Sequence, residues 1–464
     1  MAATEIGGQT TEMEFQLHKK CDHIFHESEI EAFEDTRLCI IDEISFGGYN
    51  TVLEKLNDKL GKLTRRTDLR YGRSAIVFLG DFCQLPSFGE CIYEKENSIL
   101  WEQALNCMVE LKGAHRFKHC EFMRRVIPEM RESGLKAEDR AVLNSRLVDG
   151  ENIKLPEIGK AKFVTWKNVT KSEFNAAVFK DYLRKHHSGC TKDNIPKSAV
   201  VLKAGARWAH SGAPLSFAQK KILYEECPEG VCRDSERKYY DPFLCLFYDC
   251  QLMCNQNKAV DLGIANGTTA LFKKVHLMSN AELVPIQVHG YWVYSVDMKD
   301  VDCLEMEFYD MEKKGRLKLC PLTRTVRVPY PALVLGKRTV MTTGVKLYCM
   351  PILLNYATTG HKVQGKSMDE VIIVEWSTQN AKRWAYVVIS RARTLNGVFL
   401  LEPIPEDIDF CPDEKYTQMM ERLRQKIGAS PEDIADLMEE FIDTPYFRMC
   451  EEHQRKREEG EMQN

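Results

Sequence analysis

No run of this 464-residue sequence is apolar over the roughly 20 residues that a membrane-spanning helix needs, so a membrane partner is not expected. Neither sign of charge prevails, since 64 basic residues stand against 68 acidic ones for a net charge of −4. No global field therefore points to nucleic acid. A local basic track stays open, because binding depends on where charges sit. The opening residues, MAATEIGGQTTEMEF, lack the basic-then-apolar layout of a secretory leader. Also missing, despite 17 cysteines, is the paired Cys-x-x-Cys spacing of structural zinc sites. His18, Cys21, His23 and His26 lie close together, and Cys227 and Cys232 precede Cys245, Cys250 and Cys254. Neither group meets the zinc spacing. The other cysteines are scattered, often inside apolar runs as at Cys39, Cys83 and Cys349, which fits a reducing compartment and small buried hydrophobes.

What is present is a globular composition, 44% hydrophobic and 28% charged, at a length that calls for two or three domains. The stretch TRLCIIDEIS (36–45) organises the rest. Leu38, Cys39, Ile40 and Ile41 read as a short parallel strand covered on both faces, and Asp42 and Glu43 stand at its carboxyl end, where open α/β sheets bind ligands. Two adjacent acids there offer a magnesium ligand and an orienter for an attacking water. The plain alternative is a strand that ends in solvated acids. A second buried strand, Ala75–Leu79, runs into Gly80-Asp81-Phe82-Cys83-Gln84-Leu85-Pro86. Gln84 is placed to orient water or sense a terminal phosphate, or else to hydrogen-bond the turn.

Between these strands, Val52, Leu53, Leu56, Leu60 and Leu63 recur at helical spacing, and Arg65, Arg66, Arg70 and Arg73 read as a solvated surface. Pro86 stops regular structure, and a helical region is expected after it, to about Asn144. It contains Arg116, a candidate phosphate ligand or a surface ion pair, and Phe122-Met123-Arg124-Arg125. AKFVTW (161–166) reads as a strand, with a helix from Asn168 through Asn175. From about 200 to 350 short runs separated by turn residues read as a β-rich insertion with hairpins. Pro285 belongs at a sheet edge or a strand start, and Asn266-Gly267 is a turn. The basic stretch from Lys313 to Arg327 reads as a solvated edge strand or a nucleic-acid contact. Beyond Pro405 the chain is charged and helical, with the last dozen residues too polar to pack.

Gly360–Ser367, GHKVQGKS, matches the phosphate-loop pattern G-x-x-x-x-G-K-S. A true phosphate loop leaves into a helix whose amino end cradles phosphate. Here the exit, MDEVIIVEW, reads as a strand, and no other stretch of the sequence matches the pattern.

Taken in order, these pieces resemble the superfamily 1 DNA helicases of the Pif/RecD group, the petite-integration-frequency type and its Helitron relatives. IIDEIS (40–45) resembles motif II, GDFCQLP (80–86) motif III, AHRF (114–117) motif IV, ATTGHKVQGKS (357–367) motif V and AYVVISRAR (385–393) motif VI. AATEIGGQT (2–10) is similar to motif Ia, and GIANGTTALF (263–272) to the loop entering the family's small β-barrel insertion. The resemblance implies an α/β fold of two RecA-like domains. On that pattern residues 1–113 form the first, lacking its phosphate loop, and 114–200 with 351–405 the second. A β-barrel-like insertion takes 201–350 and a charged helical tail 406–464.

It further implies ATP and Mg2+ between the domains and single-stranded DNA across them. Asp42 would hold the metal and Glu43 act on water. Gln84 and Arg116 would contact the terminal phosphate, and Arg391, with Gln364 and Gly365, would complete the pocket. Thr359, His361, Lys362 and Asn266 would face DNA. The activity implied is a monomeric, nuclear, ATP-driven 5′-to-3′ helicase, with the family's ties to DNA repair, recombination and telomere maintenance. The family's motif I would precede motif Ia, where this sequence starts. The expectation is therefore a chain inactive alone, and the alternative a DNA-binding remnant of a mobile-element helicase that has lost turnover.

Overall fold

The computed structural model describes residues 11–426, leaving out 18, 20–22, 35, 37, 87–90, 97, 112–114, 158, 226–231, 235–237, 257–263, 265, 309–315, 335–336, 379–380, 409 and 411–412. His18, Cys21, Cys227, residues 2–10, Ala114, Gly263, Ala265 and 313–315 thus lie outside the described residues, as does everything after 426. The chain divides into two compact units, one built from residues 11–82, 86–115 and the stretch from 412 onward, the other from 83–85 and 116–411.

The smaller unit carries a parallel pair, β1 (Leu38–Ile41) and β2 (Ala75–Phe78), with Leu38 opposite Ala75 and Ile41 opposite Phe78. Successive side chains of a strand point to opposite faces, and only one face is covered. Cys39 and Ile41 are 7% and 4% exposed, whereas Ile40 is 60% exposed. This corrects the expectation of a strand buried on both sides: four apolar residues in a row specify a strand here, but no described element lies over the Leu38–Ile40 face. The inner face packs on α1 (Lys55–Leu63), which continues a wider turn at Tyr49–Glu54. Leu53, Leu56 and Leu60 are fully buried, as their helical spacing requires.

Among the described residues between Pro86 and His115, the α-helix expected after Pro86 is absent. Ile92, Tyr93 and Trp101 reach the core from turns and a single 3-10 turn, without the 3.6-residue period that would lay them on one helix face. The next α-helix after α1 among the described residues is α2 (Glu121–Glu132).

The larger unit is organised on a wholly parallel sheet of order β16-β3-β17-β18. The strands are β3 (Lys162–Thr165), β16 (Ala357–Thr359), β17 (Val371–Ile373) and β18 (Val398–Leu400). Val164, Val371, Ile373, Val398 and Leu400 are fully buried, as expected of a sheet with helices on its faces. The helix after β3, α3 (Asn168–His186), runs well past Asn175.

Residues 199–354 supply three further sheets. One, of order β6-β4-β10-β9, uses β4 (Ala199–Lys203), β6 (Phe243–Phe247), β9 (Val284–Val288) and β10 (Tyr291–Asp297). Pro285 falls on its edge strand β9, where a missing N–H costs no ladder bond. The second, β12-β11-β8-β7-β15, uses β7 (Gln251–Cys254), β8 (Thr269–Leu277), β11 (Val301–Phe308), β12 (Arg316–Leu319) and β15 (Ile352–Leu354). The third, β13-β14-β5, joins β5 (Gly205–Trp208) to the hairpin of β13 (Leu322–Val334) and β14 (Lys337–Cys349).

After β18 the chain returns to the smaller unit as α5 (Glu414–Arg424). The expected charged tail therefore begins with a packed helix. Met419 and Leu423 are 0% and 3% exposed, and the Arg422 guanidinium donates twice to Glu102, at 2.7 and 2.9 Å. Burial of two such side chains contributes on the order of 3–5 kcal/mol. Among the described residues, no helix is long and apolar enough to cross a membrane.

Candidate functional site

In the smaller unit, ladder bonding continues past the strand ends. Leu79 N donates to Ile41 O at 2.8 Å and Ile44 N to Leu79 O at 2.9 Å. The loops that carry Asp42-Glu43 and Gly80-Asp81 are thereby held side by side. Asp42 is exposed, and its Oδ1 accepts from Glu43 N at 2.8 Å. Glu43 adopts φ 54°, a left-handed conformation uncommon for a residue with a side chain. Strain of this kind persists where surrounding structure over-determines it and concentrates at functional sites. Magnesium is held by one or two carboxylates together with substrate phosphates and water, so the Asp42 carboxylate at the strand's end fits the ion. Among the described residues, no group of three or more acids, histidines or cysteines is placed to form a complete metal cage. Gln84, which belongs to the larger unit, is half-buried in the turn that follows β2 in sequence, next to the fully buried Leu85.

In the larger unit three separated stretches meet. Arg116 donates from Nε to Ser367 Oγ at 2.8 Å and from Nη1 to Ser390 O at 2.9 Å. Ser390 and Arg391 follow α4 (Ala381–Ile389), and Arg391 folds back on that helix's carboxyl end. Its Nε reaches Val387 O at 2.8 Å, Nη1 reaches Lys366 O at 3.3 Å and Nη2 reaches Ser390 Oγ at 2.7 Å. A cation at a helix carboxyl end meets the unsatisfied carbonyls and the negative end of the dipole. These bonds satisfy a guanidinium that is only 2% exposed. Main-chain bonds Met368 N to Arg391 O, 2.9 Å, and Arg393 N to Met368 O, 3.0 Å, seam the two motif stretches together.

The match at Gly360–Ser367 takes a different course from strand–loop–helix. β16 leads directly into one helical turn, Gly360–Val363. Gly365 then reverses the chain at φ 76°, where a glycine is favoured. After Ser367 come the bridge between Met368 and Ala392 and then β17. Gly360 is required by close approach, since a Cβ there would lie 2.4 Å from Trp384 Nε1. Gln364 is half-buried beside this turn.

Asn175 on α3 fixes β16, accepting from Tyr356 N at 3.1 Å and Ala357 N at 3.0 Å. At the strand's end, Thr359, His361 and Lys362 are brought together, and Lys362 Nζ donates to Asn266 Oδ1 at 3.2 Å. Asn266 and Lys362 thus meet across a long stretch of chain. His361 lies 6.2 Å, ring to ring, from Trp166. Burial holds its imidazole below the ordinary histidine range, so the ring offers a hydrogen bond and a face.

Residues without an assigned role in the sequence also gather here. Lys171, on the first turn of α3, is 8% exposed. Its amine is pushed down to about 7, first by burial and then by the charges of Lys362 and Arg233. Glu375, just past β17, caps that helix, accepting from Trp166 N at 3.1 Å, Lys167 N at 2.8 Å and Thr170 Oγ1 at 3.3 Å. Both are distant in sequence from what they touch, so no local pattern marks them. Arg125, by contrast, pairs with Asp139 at 3.0 and 2.5 Å and is structural.

Neither a family model nor a curated protein sequence matches this chain. Solved structures do. A Bacteroides Pif1 bound to single-stranded DNA superposes with a TM-score of 0.59 at 17% identity, covering 90% of this chain and 85% of that one. A Bacteroides Pif1 helicase in complex with ADP-AlF3 and single-stranded DNA gives a TM-score of 0.59 at 19% identity, over 92% and 86% of the two chains. Pif1 helicase from Candida albicans gives 0.55 at 18% identity, over 91% and 86%. At such identities the likeness is one of fold. The chain has the mixed α/β fold, with parallel sheets, of the Pif1-like superfamily 1 helicases.

Proposed function

We propose that this chain is a helicase-type motor that couples ATP hydrolysis to 5′-to-3′ movement on single-stranded DNA. The observation that carries this reading is the node in which Arg116, Ser367, Ser390 and Arg391 converge from motifs IV, V and VI. Such a node has a use if it presents positive charge to a transferring phosphoryl group, where preorganised donors act without reorganisation. In this reading Glu43 and Gln84 orient the attacking water, and Arg116 and Arg391 bear on the phosphate. Asp42 would hold magnesium, which when bound offsets charge on the phosphate oxygens. Gln364 and Gly365 shape the turn beside the arginines. Thr359, His361, Lys362 and Asn266 hold the strand by contacts that read backbone and not sequence.

A second reading is binding of nucleic acid without turnover. It is favoured by the course of Gly360–Ser367, the one stretch with a phosphate-loop pattern, which passes into a strand. The experiment is ATP hydrolysis with and without single-stranded DNA, with Glu43→Gln alongside. The motor reading expects DNA-stimulated hydrolysis that Glu43→Gln lowers by at least ~100-fold, as loss of a group acting on the transferred proton or water does. DNA binding with no hydrolysis at any nucleotide concentration would replace it with the second reading. Lys366→Ala separates a third possibility: abolished nucleotide binding there would mean that this lysine itself cradles phosphate.

A further inference from the structure

The sheet β13-β14-β5 has one face turned to its own core. Val326, Val345, Leu347 and Ala206 are each no more than 4% exposed. Because side chains alternate across a strand, the intervening residues form the other face, and there the register is unusual. Thr325 pairs with Lys346 and Lys346 with Arg207, so two cations stand directly opposite each other. Two residues farther along β13 is Arg327, opposite Gly344, and on the other side Thr323, Tyr348 and Gly205 fall in line. Arg207, Arg327 and Lys346 are all exposed. No acid occurs in any of these three rows. Like charges directly opposite on a sheet are destabilising, and sheets ordinarily place opposite signs there. The arrangement has a reason if an anion lies across it.

Arg327 also links this face to the motif V turn. Its main-chain N–H donates to Arg233 O at 2.8 Å. The charge of Arg233 in turn bears on Lys171 together with that of Lys362, and Lys362 feels Lys366 and Lys238. Arg233 and Lys362 thus both lie within electrostatic reach of Lys171, and Arg233 is joined through its main chain to Arg327 on β13.

We propose that the outer face of β13-β14-β5 is a second contact surface for the same single-stranded nucleic acid, with Arg207, Lys346 and Arg327 each engaging a backbone phosphate beyond the strand segment held at Lys362. This rests on the reading that the chain binds single-stranded DNA. It extends the grip from the RecA-like sheet onto the β-rich part. The contacts are to phosphate, so they add affinity and salt dependence without sequence preference.

The test is fluorescence anisotropy of the full chain with a labelled oligo-dT across a salt series, comparing wild type with the triple variant Arg207→Ala, Lys346→Ala, Arg327→Ala. Each phosphate contact on a single strand contributes about 0.7 to the slope of log K against log salt, so three lost contacts lower its magnitude by about 2. Between about 50 and 200 mM salt the wild type then loses roughly 15-fold more affinity than the variant. A charge-retaining variant, Arg207→Lys with Lys346→Arg and Arg327→Lys, keeps the wild-type slope. The triple alanine variant melts no lower than wild type, because it relieves a like-charge pair, so weaker binding is not a folding defect. An unchanged slope in that variant overturns the second surface and leaves the motor reading standing. A wild type that fails to bind oligo-dT overturns both.

Discussion

The arginine node of the larger unit and the acidic loop of the smaller one are built in opposite ways. Arg391 is 2% exposed, and all three of its nitrogens are engaged by Val387, Ser390 and Lys366. Asp42 stands exposed at the end of a strand whose outer residue Ile40 is itself 60% exposed. In the proposed motor, one half of the chemistry is wired in advance, through charge-assisted bonds in a setting that strengthens them. The acidic loop is held by strand pairing and carries a left-handed backbone at Glu43. The difference teaches where stability and function should separate. In the proposed motor, changes at the node should cost folding as well as chemistry, and changes at the acids chemistry alone.

The largest expected effect sharpens that contrast from the smaller unit's own core. Leu423→Ala removes a fully packed side chain of α5 and should cost about 2–4 kcal/mol in urea unfolding of that unit, though it lies far in sequence from β1. Arg391→Met should cost about 2–3 kcal/mol in the same experiment on the larger unit, since it strands buried acceptors at Val387, Ser390 and Lys366. Ser390→Ala removes one of those partners and should cost about 1 kcal/mol. Asp42→Asn should stay within about 0.5 kcal/mol, as exposed substitutions do. A drop at Asp42 as large as that at Arg391 would erase the distinction.

The pH dependence adds a subtler check. Lys171 is pushed down to about 7 from an ordinary 10.5. Between those values the unfolded chain holds a proton that the folded chain has released. Stability of the larger unit therefore rises with pH across that window, and the burden is full below about 7. Thermal melts of wild type and Lys171→Met should converge as pH rises from 7 to 10. Parallel curves would mean the amine is not the source.

Much of this arrangement was legible in order along the chain. The short apolar runs at Leu38, Ala75 and Val371 are strands, the leucine period from Leu53 to Leu63 is a helix, and Pro285 does sit on an edge. The exit of GHKVQGKS into β-branched residues reads correctly because a run such as Val371–Ile373 has no helical alternative when bounded so closely. What sequence could not give is mostly non-local. The one-sided cover of β1 depends on which elements reach it, not on its own residues. The return of α5 to the smaller unit rests on Met419, Leu423 and the Arg422–Glu102 pair, partners more than three hundred positions apart. The roles of Ser367 and Ser390 appear only when Arg116 is brought between them, and like charges at Lys346 and Arg207 become a feature only once the register is known.

The most direct measurement is the affinity for single-stranded DNA with and without a non-hydrolysable ATP analogue, in wild type and in Arg116→Ala. If the arginine node joins nucleotide to the DNA-facing turn, the analogue shifts the wild-type affinity by about 5-fold or more, the usual range for coupled sites. In Arg116→Ala that shift should fall below about 2-fold while DNA affinity without nucleotide is retained. An Arg116→Ala chain that keeps the full nucleotide-dependent shift would contradict the account.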